Sequence, residues 1–348
     1  MTAGPNLLVA EETEAAPPAE DYIPWFQRFM ERIGPLWTLG VLIAIIAIFG
    51  TVAPDLYTKA AWLSTSSYAV EYLVLAIGQT FVIVTAGIDL ADGATLGFSA
   101  MAGSILMQNL LASRAPALLT DVGGVALILA SGAGIGLVNG LIITRVKLPP
   151  FIVTLGTLTA ITGATDLLNN ATEVTNLPSF VSTLGTASVL SGWLPIPVLI
   201  TLALALVFGL VLARTRFGLR TYAIGSNELA ARRAGVNVDR HLILVYMISG
   251  FLAGVAGLLV TANFSAASPI AGANDELYAI AGVVIGGASI FGGRGTIFGT
   301  VIGTGIIAVL TTGLVLANVQ PFWQQVAIGA VVIGAVPVDR VRTRVGTD

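Results

Sequence analysis

The sequence predicts an all-α polytopic membrane protein with about ten transmembrane helices, and three observations carry that expectation. First, hydrophobic residues make up 55% of the 348 positions and charged residues only 10%, against about 25% charged in a soluble domain. Too little polar surface remains to face water on every side, in keeping with a mean hydropathy of +0.90. Second, the apolar residues fall into runs of membrane-crossing length, bounded by charge, proline or glycine. Third, there are 40 glycines. They weaken soluble helices, but they suit membrane helices, whose backbones approach closely through small residues.

Residues 1–33 read as a cytoplasmic tail. Met1 to Asp21 holds no basic residue, five acidic ones and a Pro17-Pro18 pair, which argues against a secretory signal. Tyr22–Arg32 suits either an interfacial amphipathic helix or a plain linker. The membrane-spanning body is residues 34–338, with spans at Leu36–Val52, Tyr72–Ile88, Ala94–Leu111, Val122–Thr144 and Phe151–Leu168. They continue at Ile196–Ala213, Leu242–Ala262, the short Leu277–Phe291, Ile297–Leu316 and Phe322–Val336. Glu71 and Asp89 bracket the second span about 27 Å apart, so both are expected at interfaces. Residues 339–348 form a second cytoplasmic tail.

Orientation follows from the basic residues. With the N-terminus inside, 14 of the 16 lysines and arginines fall on the cytoplasmic side, leaving Lys59 and Arg114 outside. This is the segregation that positive-inside insertion produces, and it puts the C-terminus in the cytoplasm too. Two polar segments then stand out: an external one at 169–195 and a basic cytoplasmic one at 214–240.

In the cytoplasmic segment, Asn227 can cap a short helix from Glu228 to Ala234, with Gly235 at its end. From physics alone, a basic loop resting on lipid head groups explains these residues equally well. Four stretches settle on one comparison. They are Thr85-Ala86-Gly87-Ile88-Asp89-Leu90 with Gly93; Leu148-Pro149-Pro150-Phe151-Ile152-Val153-Thr154-Leu155-Gly156-Thr157; Phe217 to Val236; and Ala279 to Thr296, with Gly292-Gly293-Arg294-Gly295-Thr296 at its end. In that order, from about Tyr68 to Val336, they resemble the ribose/xylose-type ABC transporter permease family.

The resemblance implies a transport subunit rather than an enzyme, set in the prokaryotic inner membrane. ATP and Mg would then belong to a cytoplasmic ABC ATPase, and no cofactor to this chain. It also implies an extracytoplasmic sugar-binding protein and a second permease copy or paralogue. The coupling contact would be Gly225, Ser226, Asn227, Glu228, Ala230, Ala231, Arg232, Arg233 and Gly235. The implied cargo is a pentose or hexose; nucleosides and branched-chain amino acids are alternatives within the same family. Three residues depart from the pattern: Leu229 where a Glu is expected, Asp92 where a small or apolar residue is usual, and Asp166.

Absences narrow the classes further. With no cysteine and one histidine, His241, disulfides, thiolate chemistry and soft-ligand metal sites are excluded. Neither lysine, Lys59 or Lys147, sits in a phosphate-binding glycine loop. The net charge of −3 gives no reason to expect nucleic acid, and no catalytic constellation is evident. Asp166, about 22 Å into its span, and Asn169 are candidates for the translocation path or for the external interface. Asn176 and Trp193 are candidates for docking a binding protein. The rival class, an ion-coupled secondary transporter, requires buried carboxylates and broken helices at mid-membrane. Only Asp166 is a candidate for that role.

The glycine ladders Gly132-Gly136-Gly140, Gly250-Gly254 and Gly299-Gly303 are expected to pack helices rather than to bend them.

Overall fold

The computed structural model describes residues 25–320, 322–327, 329, 330 and 333. The expected tails, apart from the start of the first helix, lie outside the described residues, as does part of the last expected span. The protein is all-α, with twelve α-helices and one short hairpin among the described residues. Seven of the helices are long and apolar enough to cross a membrane.

Helix α1 (Trp25–Val52) merges the expected interfacial segment with the first span. Helix α2 (Lys59–Val84) is the hub. It packs against α7 (Ile196–Arg214), α10 (Val238–Phe264), α11 (Asp275–Ile285) and α12 (Ile297–Leu316). Every residue from Tyr72 to Val84 is buried. A helix enclosed on all sides needs no amphipathic stripe, and α2 has none. Its polar groups are satisfied laterally: the Thr80 hydroxyl lies 2.8 Å from that of Thr300 on α12.

Helices α4 (Ala117–Leu141) and α10 form the most extensive pair. Gly132, Gly136 and Gly140 lie directly on α10. A methyl group at Gly132 would collide with the Gly250 carbonyl, and one at Gly140 would sit 2.8 Å from the Ile243 Cα. The ladders are packing devices. Gly282 of α11 and Gly286 just past its end meet Gly299 and Gly303 of α12 in the same way. Helix α4 ends in a π-helical turn, Ile142–Val146, and Lys147 takes a left-handed conformation before Pro149-Pro150 opens α5 (Pro150–Leu168).

Two helices begin inside the bundle. After Val84 the chain turns at Ala86 (φ 61°) and returns, so that α3 (Asp92–Ala112) starts beside Gln79. Five residues of helix make that offset about 8 Å. Beyond α10, the chain folds back from Ser265 until Gly272 lies on Gly93, and α11 starts at Asp275. The expected placement of Glu71 and Asp89 at two interfaces is therefore corrected. Span 2 begins at Lys59 rather than Tyr72, Glu71 lies mid-helix, and Asp89 is 2% exposed. A run of apolar residues cannot reveal where a helix starts when its first turns, from Lys59 to Ser67, mix polar with apolar residues and stay partly exposed.

The segment 169–195 is not a uniform polar loop. It contains α6 (Ser179–Thr186), which packs on α10, and the hairpin of β1 (Ser188–Val189) with β2 (Leu194–Pro195).

Candidate functional site

The basic segment forms two helices, α8 (Arg216–Ser226) and α9 (Glu228–Arg233). The Asn227 side chain accepts the Ala230 N–H at 2.9 Å and caps α9, while Gly235 at φ +83° ends it. Ala231 is buried against Ile224 and Val238, so one face of α9 is seated on the protein. Leu229, Arg232 and Arg233 stay exposed. Arg232 is engaged within the chain, donating to Glu228 Oε1 at 3.0 Å and Asp239 Oδ1 at 2.6 Å. Its hydrogen bond to Asp239, then that to Glu228, hold the guanidinium above its ordinary value. Among the described residues these are the ion pairs, which leaves Arg233 the exposed cation of α9.

His241, on α10, lies 2.9 Å from the Thr221 hydroxyl through Nε2 and stacks near Phe217. It fastens α8 to the bundle.

The four distant stretches of the sequence converge under these helices. Gly225 lies against the Val84 carbonyl, which accepts the Gly293 N–H at 2.9 Å. The Tyr222 hydroxyl donates to the Gly295 carbonyl at 2.6 Å. Gly293 takes φ +74° against Ser226, a conformation and a closeness that suit only glycine. The Thr154 hydroxyl reaches the Ile88 carbonyl at 3.2 Å. Coupling segment, helix break, Pro-Pro segment and glycine-rich turn thus form one contiguous end of the molecule.

Deeper in, the break carries carboxylates. Asp92 accepts from Ser249 at 2.8 Å and from the Gln79 amide at 3.0 Å, while the Asp89 N–H donates to the Gln79 carbonyl oxygen at 3.2 Å. Asp89 touches Asp92, and Glu71 touches Asp275. Asp89, Asp92, Asp275 and Glu276 are all buried. The expectation that Asp166 alone is a candidate buried carboxylate is overturned. Asp275 and Glu276 escaped notice because acids in a first helical turn look like ordinary helix starts. Asp92, set apart by its departure from the family pattern, was the available signal.

The remaining candidates lie elsewhere. Asp166 is exposed near the end of α5, and Asn169 ends that helix, donating to the Thr172 carbonyl at 3.1 Å. Asn176 is exposed. The Trp193 carbonyl accepts the Trp62 indole N–H at 2.6 Å, and Lys59 Nζ stands 5.9 Å from the Trp193 ring. None of these contacts involves α8 or α9. Among the described residues no group of side chains is arranged to hold a metal ion.

Seven helices long and apolar enough to cross a membrane, two helices begun in the interior and a seated surface helix define a multi-pass membrane protein. The comparisons agree. Residues 62–336 match the family model described as branched-chain amino acid transport system / permease component. The chain belongs to that family and is an ABC-type permease. It is 37% identical over 316 residues to the D-allose transport system permease protein AlsC of Escherichia coli, covering 90% of this chain and 93% of that one. To the ribose import permease protein RbsC of Bacillus subtilis it is 36% identical, with 90% and 94% covered. To the galactose/methyl galactoside import permease protein MglC of Salmonella typhimurium it is 34% identical, with 91% and 96% covered. No solved structure matches significantly. Buried carboxylates and broken helices, the marks expected of an ion-coupled carrier, thus occur here in an ABC permease.

Proposed function

We propose that this chain is the membrane-spanning subunit of an ATP-driven importer for a small sugar, placed in the inner membrane with ten crossings and both termini cytoplasmic. A cytoplasmic ATPase binds ATP and Mg, and a sugar-binding protein delivers cargo at the 169–195 face. A second permease copy or paralogue completes the path. The three relatives named above are permeases for allose, ribose and galactose, which favours sugar over the amino acids of the family's description.

One observation carries the mechanical reading: α9 rests on α8 and α10, and α8 touches both the break after Val84 and the glycine-rich turn at Gly292–Gly295. A push on α9 from an ATPase reaches both irregular segments through packed groups, without chemistry on this chain. Gly225, Ser226 and Gly235 shape the entry and exit, while Ala230 and Ala231 allow close approach. Arg232 is braced by Glu228 and Asp239, so Arg233 is left to meet acidic groups on the ATPase.

Ala231→Trp, at a buried seat, should abolish substrate-stimulated ATP hydrolysis in the reconstituted complex while the binding protein still holds sugar. Normal stimulation with residues 227–235 scrambled, or uptake by this chain alone in ATP-free vesicles under an ion gradient, would sink the assignment. Orientation has its own check. In this cysteine-free chain, Asn176→Cys should react with an impermeant thiol reagent in intact cells and Ser226→Cys should not.

A further inference from the structure

The helix end opposite α8 and α9 contains a cavity of about 270 Å³ within a single protomer. It lies between α2 and α10 and is covered by the α6–hairpin segment. Its polar lining is Ser66, Ser67 and Glu71 on one face of α2, Thr186 and Ser188 above, and Asn263 at the end of α10. Leu63, Val70 and Leu259 supply apolar wall.

The hydrogen-bond bookkeeping makes this lining acceptor-rich. Ser66 and Ser67 both donate their protons to the Leu63 carbonyl, at 2.8 and 3.1 Å, and Thr186 donates to the Ser182 carbonyl at 2.8 Å. Each hydroxyl therefore has lone pairs left to offer. Glu71, which touches Asp275 on its far side, adds carboxyl oxygen to the same lining. A ligand here must bring O–H or N–H donors and a small apolar face. Charge decides between them. Gly192 lines the cavity, and Lys59 Nζ lies 2.7 Å from where a Cβ on Gly192 would be. With the Glu71 carboxyl in the lining and the Lys59 ammonium beside the rim, where it donates to the Ser191 carbonyl at 2.9 Å, opposite charges offset each other and favour a neutral guest. The volume sits near the lower end of small-molecule sites, which suits one sugar ring.

We propose that this cavity is a binding site for one neutral monosaccharide, held inside the protomer between α2 and α10. The inference rests on the sugar-import reading only for the choice of probes, and it requires neither ATPase nor binding protein.

The test is equilibrium dialysis of the purified full-length chain in lipid nanodiscs against labelled ribose, allose and galactose, with ethanolamine as the cationic probe. One of the sugars should bind saturably with one site per chain. Ser67→Leu, which fills the cavity, and Asn263→Leu, which removes an exposed amide, should each weaken that binding about tenfold or more. Thermal unfolding identifies a variant that fails to fold, and the other then carries the test. No saturable binding of any of the three sugars overturns the site, as does binding that both folded variants leave unchanged. Tighter binding of ethanolamine overturns the neutral class. Failure of ATPase coupling, by contrast, would sink the import reading and leave this result standing, because the dialysis contains no ATPase.

Discussion

Helices α2 and α5 have almost the same mean hydropathy, yet 78% of the apolar window of α2 is buried and only 17% of that of α5. The glycines show the contrast most clearly. On α2, a methyl at Gly78 would lie 2.9 Å from the Ser249 Cα, whereas Gly156 and Gly163 of α5 have nothing within 4 Å. Polar residues repeat the pattern. Gln79 of α2 is enclosed with two aspartates, while Thr159 and Thr162 of α5 stay exposed and bond only to their own helix. Apolarity therefore sends both helices into the membrane but does not say which one the protein surrounds. A bare α5 must be covered by lipid or by a second permease chain.

The largest expected effect comes from adding the same methyl group on covered and uncovered helices. Gly136→Ala would drive Cβ into the Tyr246 carbonyl of α10, and a collision with backbone should cost about 3 kcal/mol or more. Gly156→Ala meets nothing and should stabilise α5 by up to about 1 kcal/mol through helix propensity. Thermal unfolding in detergent reads both. Equal effects of the same sign would break the contrast.

Buried polarity is the next test. Gln79→Leu strips Asp92 of a donor in the interior and should destabilise by about 1–3 kcal/mol. Asp166→Asn, at an exposed position, should stay within about 0.5 kcal/mol. A tolerated Gln79→Leu would mean that the helix break holds without its polar clasp.

The smallest effect lies at the surface, where the same distinction between engaged and open groups holds. A double-mutant cycle on Arg232 and Asp239 should give about 0.2–1 kcal/mol, because both side chains are largely in water. Arg233→Ala should leave stability unchanged and weaken ATPase docking. The reverse outcome would exchange the roles assigned to the two arginines.

Most of the helices were legible because exclusion of water leaves a plain trace, a run of apolar residues of bilayer length. The cap of α9 was legible for a similar reason, since Asn227 and Gly235 act on the few residues beside them. The carboxylate cluster was not. Glu71, Asp89, Asp92, Asp275 and Glu276 come from three separate stretches, and each reads on its own as a boundary residue.

The sequence by itself determined the all-α membrane class, the family and the capped surface helix, because hydropathy, motif order and capping are local properties of the chain. Tertiary structure alone decided that Asp89 and Asp92 are buried and that α2 is enclosed while α5 is bare. Those outcomes depend on which distant helices meet, and a partner on another helix leaves no mark in the residues around it.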